Sequence, residues 1–264
     1  MASPNFSEAQ LQSAVNTALT IHLNKRYGYL PFAIIPSLRT EFLFGWDSGF
    51  YLPKISKGQL NQEGCNFFIQ YKLSDQLTKS NASQWSYWNE PYFRFKIPHN
   101  KDDFHQWDTL KKLANDGYAV FYATNNTLSR EQLIEHYQSE KLLNNTPCLD
   151  VDQVNGRHHY VTFTNTSNNF FLHSELEESK QTSLSETLEE LNNQQESLRE
   201  ANQRLFENLK STFRENNKAS KNLSFISNLL EDNIPGYITH FYLSSFVFSY
   251  LGSILLWVSK NRLD

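Results

Sequence analysis

Residues 118–123 read YAVFYA, an apolar run too short for a helix and without the alternation of a strand that has one wet face. Such a run is a strand buried on both sides, and both sides need covering. Just before it, Phe104, Trp107, Leu110, Leu113 and Ala114 recur at helical spacing over Asp103 to Asn115, and Gly117 ends that helix. A helix joined to a doubly buried strand implies a layered, mixed α/β arrangement.

The segments before it supply the other layers. Ser7 reads as an N-cap with Gln10 three residues on, and Leu11, Val15, Ala18, Leu19 and His22 follow at helical spacing. Tyr27-Gly28 supplies the stop. Pro31 and Pro36 bracket an extended link, and a helical turn over Ser37 to Phe42 leads into Gly45-Trp46-Asp47. Trp46 to Pro53 and Cys65 to Lys72 read as neighbouring strands joined by the polar stretch Lys54 to Gly64. In YFRFKI, Tyr92, Arg94 and Lys96 alternate with Phe93, Phe95 and Ile97, giving a third extended element. His159 to Phe163 and Phe170 to Leu172 add late strands.

With 264 residues, 39% of them hydrophobic and 14% aromatic, the chain has material for a real core and is not a disordered one. A net charge of −4 excludes a generally basic nucleic-acid binder. The charge is uneven, however. Residues 1–173 balance fifteen basic against fifteen acidic residues, whereas 174–234 hold seven against twelve. A neutral domain still accommodates a local phosphate-binding patch. Two cysteines, Cys65 and Cys148, make neither a disulfide framework nor zinc-ligand spacing, which fits a reducing, cytoplasmic setting. The N-terminus lacks a basic patch followed by an apolar stretch, so no signal peptide is expected.

The chain divides into an α/β domain over 1–173, a helical region over 174–234 and a hydrophobic end over 235–264. In the second part Leu184, Leu188, Leu191, Leu198, Leu205 and Leu209 form a heptad seam, with Gln195 and Asn202 at polar core positions. The seam predicts a homo-oligomer through residues 184–209, or else a helix folded against its own domain. Residues 237–258 hold no Asp, Glu, Lys or Arg and are long enough to span a bilayer, with Tyr and Trp near the ends. They predict a membrane tail that attaches the chain to the inner face of a membrane. A helix buried in an oligomer interface is the alternative, because Lys260 and Arg262 would lie on the far side, against the positive-inside tendency.

One constellation bears on chemistry. In FFIQYK, residues 67–72, Gln70 and Lys72 share a face, and a hairpin partner brings Asp47 of FGWD beside them. Glu41 stands six residues before Asp47. Carboxylates beside a lysine suit phosphodiester hydrolysis, in which Mg²⁺ takes one or two carboxylates and fills its shell with water and phosphate oxygens.

This arrangement resembles the PD-(D/E)xK nuclease superfamily, in its D…QxK form. The resemblance implies a restriction-endonuclease-like αβββαβ core over roughly the first half of the chain, followed here by the helical, coiled-coil region. It implies Asp47, Glu41 and Gln70 as ligands of Mg²⁺ or Mn²⁺, with Glu8 on the first helix as an alternative acid. Lys72 would orient the attacking water or stabilise the developing charge. Arg94 and Lys96 would hold phosphates, with Tyr92 free to stack on a base. The partner would be nucleic acid, DNA ahead of RNA, and a nuclease carrying an oligomerisation module suits bacterial defence. Gln70 stands where an acid is usual, and Trp46 replaces the Pro before Asp47. The alternative is therefore a non-catalytic nucleic-acid- or protein-binding module assembled by its coiled coil and tethered to a membrane.

Overall fold

The structure is a computed structural model and describes residues 1–28, 30, 31, 33–36, 45–56, 59–97, 106–115, 118–156, 158–173, 176–191, 198–213, 217–231, 239, 242, 243 and 246. Within strands and helices, the side chains of Tyr51, of residues 53–65 and of several helical positions beyond 197 are not described.

Helix α1 (Glu8–Tyr27) forms where the capping signals place it: Ser7 Oγ accepts from Gln10 N at 3.1 Å, and Gly28 ends the helix at φ 62° with its N–H on Asn24 O. Leu11, Val15, Leu19 and Leu23 recur every fourth residue and are fully buried. They pack on a sheet that combines a long hairpin, β1 (Ser48–Ser56) and β2 (Gln59–Lys72), with β5 (Ala119–Thr124).

β5 has the double burial its sequence required. Phe121 and Ala123 belong to the core beneath α1, while Val120 and Tyr122 belong to a second core on the opposite face. β5 runs parallel to β2, Gln70 beside Tyr122 and Lys72 beside Thr124, and antiparallel to β6 (Pro147–Asp150). β10 (Thr182–Ser183) closes that sheet in the order β1-β2-β5-β6-β10. Across the second core lies an antiparallel sheet in the order β3-β4-β7-β8-β9. Its strands are β3 (Asp75–Leu77), β4 (Tyr92–Lys96), β7 (Tyr160–Phe163), β8 (Asn169–His173) and β9 (Glu177–Lys180). The short helix α2 (Trp85–Trp88) precedes β4, and Trp88 Nε1 donates to Thr162 Oγ1 at 2.9 Å. Helix α3 (Gln106–Asn115) buries Leu110 and Ala114 in the second core, and α4 (Arg130–Gln138) buries Leu133 in the first.

The mixed α/β class is therefore what the chain adopts, but the third extended element is not in the sheet with β1 and β2. Tyr92–Lys96 pairs with β3 and β7 in the second sheet, where its Phe93 and Phe95 share the second core with Val120, Tyr122 and Leu149 of the first sheet. The α/β unit also runs past residue 173: β9 and β10 add to the two sheets, and α5 (Leu184–Leu191) joins the first core.

That last fact decides how part of the heptad is used. Leu184, Leu188 and Leu191 are buried against this chain's own α1 core. Farther on, α6 (Leu198–Thr212) and α7 (Asn217–Glu231) pair, with Phe206, Leu209, Leu223, Ile226 and Leu230 sharing a third core. Gln195 lies outside the described residues. So does most of 237–258, apart from Thr239, Tyr242, Leu243 and Phe246, of which Leu243 and Phe246 join the third core. Among the described residues no helix is long and apolar enough to cross a membrane.

Candidate functional site

The β1–β2 hairpin register dictates what meets Asp47. Ser48 pairs with Ile69, so the residue before Ser48 faces the residues after Ile69. Asp47 N donates to Ile69 O at 2.9 Å, extending the ladder by one position. Asp47 Oδ2 then accepts from Gln70 Nε2 and from Tyr71 N, each at 2.7 Å. Gln70 Nε2 also donates to Tyr71 O at 3.1 Å. Both neighbours of that nitrogen are acceptors, which fixes the amide orientation and turns Oε1 away. Oε1 is buried and has no hydrogen-bond partner among the described residues. Asp47 is 7% exposed and Gln70 1% exposed, so this pair sits inside the protein rather than on its rim.

Helix α1 holds the junction from the other side. Gln12 Nε2 donates to Asp47 O at 2.8 Å and Ser48 Oγ at 3.1 Å, and Asn16 Nδ2 donates to Ser48 Oγ at 2.9 Å. The Tyr71 hydroxyl donates to Asn16 Oδ1 at 2.8 Å. Burial and the nearby Asp47 carboxylate push the Tyr71 hydroxyl pKa well above its usual range, so the phenol stays protonated and keeps donating. Gln12 and Asn16 escaped the sequence reading, although two amides four residues apart on a buried helix face were a visible signal. Glu8 lies a further turn back on that face and is half-buried.

Lys72 follows on the same face of β2 as Gln70, half-buried. It has no ion pair or hydrogen bond among the described residues. Beyond it the chain turns into the second sheet through Ser74, whose N donates to Asn125 Oδ1 at 2.8 Å while Asn125 Nδ2 returns a bond to Ser74 O at 3.0 Å. This buried clamp fixes the ends of the parallel β2–β5 pair, the place where open α/β sheets present ligand-binding groups. Tyr122, beside Gln70 in the sheet, carries a buried hydroxyl with no partner.

The structure thus brings Asp47 and Gln70 together and places Lys72 two residues on, on the same face of β2. Glu41 lies outside the described residues. Among the described residues no group of three His, Cys, Asp or Glu side chains is placed to hold a metal ion. The donor set present is one carboxylate and one unpartnered amide oxygen. Both are hard oxygen donors of the kind Mg²⁺ and Mn²⁺ take, and a Mg²⁺ site needs no more than one or two carboxylates.

The three residues expected to contact nucleic acid behave differently from one another. Arg94 lies across the Tyr160 ring at 4.7 Å and donates to Gln84 Oε1 at 3.2 Å, and Lys96 is exposed. Tyr92 is 0% exposed, packed under Gln84, whose N donates to its hydroxyl, so it offers no ring for stacking. The alternation in YFRFKI put Tyr92 on the outer face, but α2 folds over that end of the strand and covers it. The half-buried Tyr160, Phe171 and Trp88 and the exposed Tyr87 are among the rings on this face. Compared with protein-family models, curated proteins and solved structures, the chain matches none, so the reading of the site rests on its own geometry.

Proposed function

We propose that the chain is a metal-dependent nuclease-like protein that hydrolyses phosphodiester bonds in nucleic acid, at the end of the β2–β5 pair. The observation that carries this reading is the convergence of Asp47 and Gln70 at 2.7 Å, with Gln70 Oε1 left unpartnered and Lys72 next on the same face. Asp47 and Gln70, with Glu41, would hold Mg²⁺ or Mn²⁺. A divalent ion held there would supply Lewis-acid chemistry to a phosphoryl oxygen and a bound water. Gln70 Nε2 and Tyr71 N hold the Asp47 carboxylate in one orientation, and the Gln12–Asn16 brace keeps the strand start in place. Lys72, with no acidic partner among the described residues, supplies a mobile positive charge for the attacking water or the developing phosphorane charge.

The finer expectations join this reading: DNA as substrate, self-association through residues 184–209 and membrane attachment through residues 237–258. The experiment is cleavage of DNA and RNA by the full chain in Mg²⁺, its loss in EDTA and its return on adding metal. A second reading is favoured by one observation. Asp47 and Gln70 are almost sealed from solvent and bonded to each other, an arrangement that serves equally as a brace in a non-catalytic binding module. Nucleic-acid binding unchanged by EDTA and without cleavage would select it.

A further inference from the structure

A cavity of about 370 Å³ opens beside the same strand ends, and its chemistry differs from that of the Asp47 junction. Gln76 of β3 and Phe93 of β4 wall it on the second sheet; Asn126, Thr127 and Leu128, directly after β5, wall it on the first. Gln132 of α4, Asn145 and Asn165 complete a ring of carboxamides. Among the described lining residues there is no Asp, Glu, Lys or Arg, and His136 is the one titratable group. An anionic ligand finds no countercharge there, and a metal finds no carboxylate. The occupant the lining suits is neutral and rich in hydrogen-bonding edges.

The ring is held from several elements at once. Asn126 Nδ2 donates to Asn145 Oδ1 at 3.3 Å, Asn165 Nδ2 donates to Asn126 O at 3.2 Å, and the Thr127 hydroxyl bonds Gln132 Oε1. Hydrogen-bonding capacity is left over. The Gln76 carboxamide and Asn165 Oδ1, both on lining residues, make no hydrogen bond among the described residues. A carboxamide presents a donor and an acceptor side by side in one plane, the pattern that pairs with a nucleobase edge. Phe93 and Leu128 supply the apolar surface that the flat face of a base needs. The position fits a strand running past Lys72: Thr124 is the sheet neighbour of Lys72, and Asn126 lies two residues beyond it, past the Asn125–Ser74 clamp.

We infer that this cavity receives one unstacked nucleobase, so that the site takes single-stranded or locally unpaired nucleic acid. The strand's path past Lys72 rests on the nuclease reading, whereas the base-binding chemistry of the cavity does not. The test uses the full chain in EDTA, so that no cleavage intervenes. The four nucleosides, a short single-stranded oligonucleotide, its duplex and maltose are titrated by calorimetry. Asn165→Ala, at an exposed position, and Gln76→Ala are compared with the parent after circular dichroism confirms the fold. At least one nucleoside or the single strand should bind, and each substitution should weaken it about tenfold, the lower end expected for a lost base-edge contact. Binding of both free nucleoside and oligonucleotide assigns the pocket to any nucleobase; binding of the oligonucleotide alone assigns it to a base carried on a strand. Absence of binding, equal binding of duplex, competition by maltose, or two variants that bind like the parent would overturn it. Cleavage in Mg²⁺ without substitution-sensitive base binding removes this pocket and leaves the nuclease reading standing. Base binding without cleavage does the reverse.

Discussion

Gln70 gives Asp47 a 2.7 Å hydrogen bond from its amide nitrogen, while the oxygen of the same amide stays buried and unpartnered. An unmet acceptor in the protein interior costs about 1–3 kcal/mol. The amide braces the carboxylate with one atom, and in the proposed site it would offer a ligand oxygen with the other.

Gln70→Glu separates those roles. It replaces a donor to Asp47 with a second carboxylate, and two like charges at hydrogen-bond distance in a buried site repel. Without metal the variant should be less stable than the parent by about 2 kcal/mol or more, and so unfold at a lower temperature. Millimolar Mn²⁺ should restore much of the loss, because a divalent cation converts the repulsion into ligation. Thermal unfolding with and without Mn²⁺ checks this, and a variant indifferent to Mn²⁺ counts against a metal at this junction.

Asn16 reaches the site only through others. It receives the Tyr71 hydroxyl and donates to Ser48 Oγ, tying α1 to the strand start beside Asp47. Asn16→Ala leaves a buried phenol and a serine hydroxyl each short of one partner. A loss of about 1–3 kcal/mol is expected in urea unfolding. Cleavage should fall with kcat reduced and KM little changed, since strand position rather than nucleic-acid contact is disturbed.

His173 should make stability depend on pH. Burial, with His158 and Arg94 nearby, pushes its pKa down to about 4, against about 6.5 for a free imidazole. Between those values the unfolded chain takes up a proton that the folded chain refuses. The contribution is therefore whole above pH 6.5 and is lost as the pH falls through 6.5 toward 4. His173→Gln keeps a polar group opposite Thr162 Oγ1, which His173 Nε2 meets at 2.8 Å, and removes the titration. Melting temperatures of parent and variant should converge as the pH falls from 7 to 5; curves that stay parallel would exclude this role.

What was legible in the sequence was local. Ser7, Gln10 and Gly28 bound α1 because a cap is decided within one turn, and YAVFYA gave its double burial because no residue in it tolerates water. Asp47 beside Gln70 was legible too, since a hairpin pairs residues near in sequence. The division into two sheets was not: β2 pairs in parallel with β5 across the intervening β3, α2, β4 and α3, and nothing in either strand names its partner. Helix α4 went unread although Ser129 and Gln132 repeat the Ser7–Gln10 signal, because its residues are largely polar. The heptad leucines were correctly apolar, but period alone does not say whether Leu184, Leu188 and Leu191 face a second chain or α1. The burial of Tyr92 depended on α2, whose path over β4 no alternation records.

Lys72 decides the central claim, because its half-exposed side chain supports no described contact and its removal should leave the fold intact. The measurement is the single-turnover rate of Mg²⁺-dependent cleavage of a single-stranded DNA by the full chain and by Lys72→Ala, with matched melting temperatures. A fall of about 10²–10³-fold is expected for loss of a group that stabilises charge in the transition state. A parent that cleaves no better than its Lys72→Ala variant would contradict the assignment of this junction as a nuclease site.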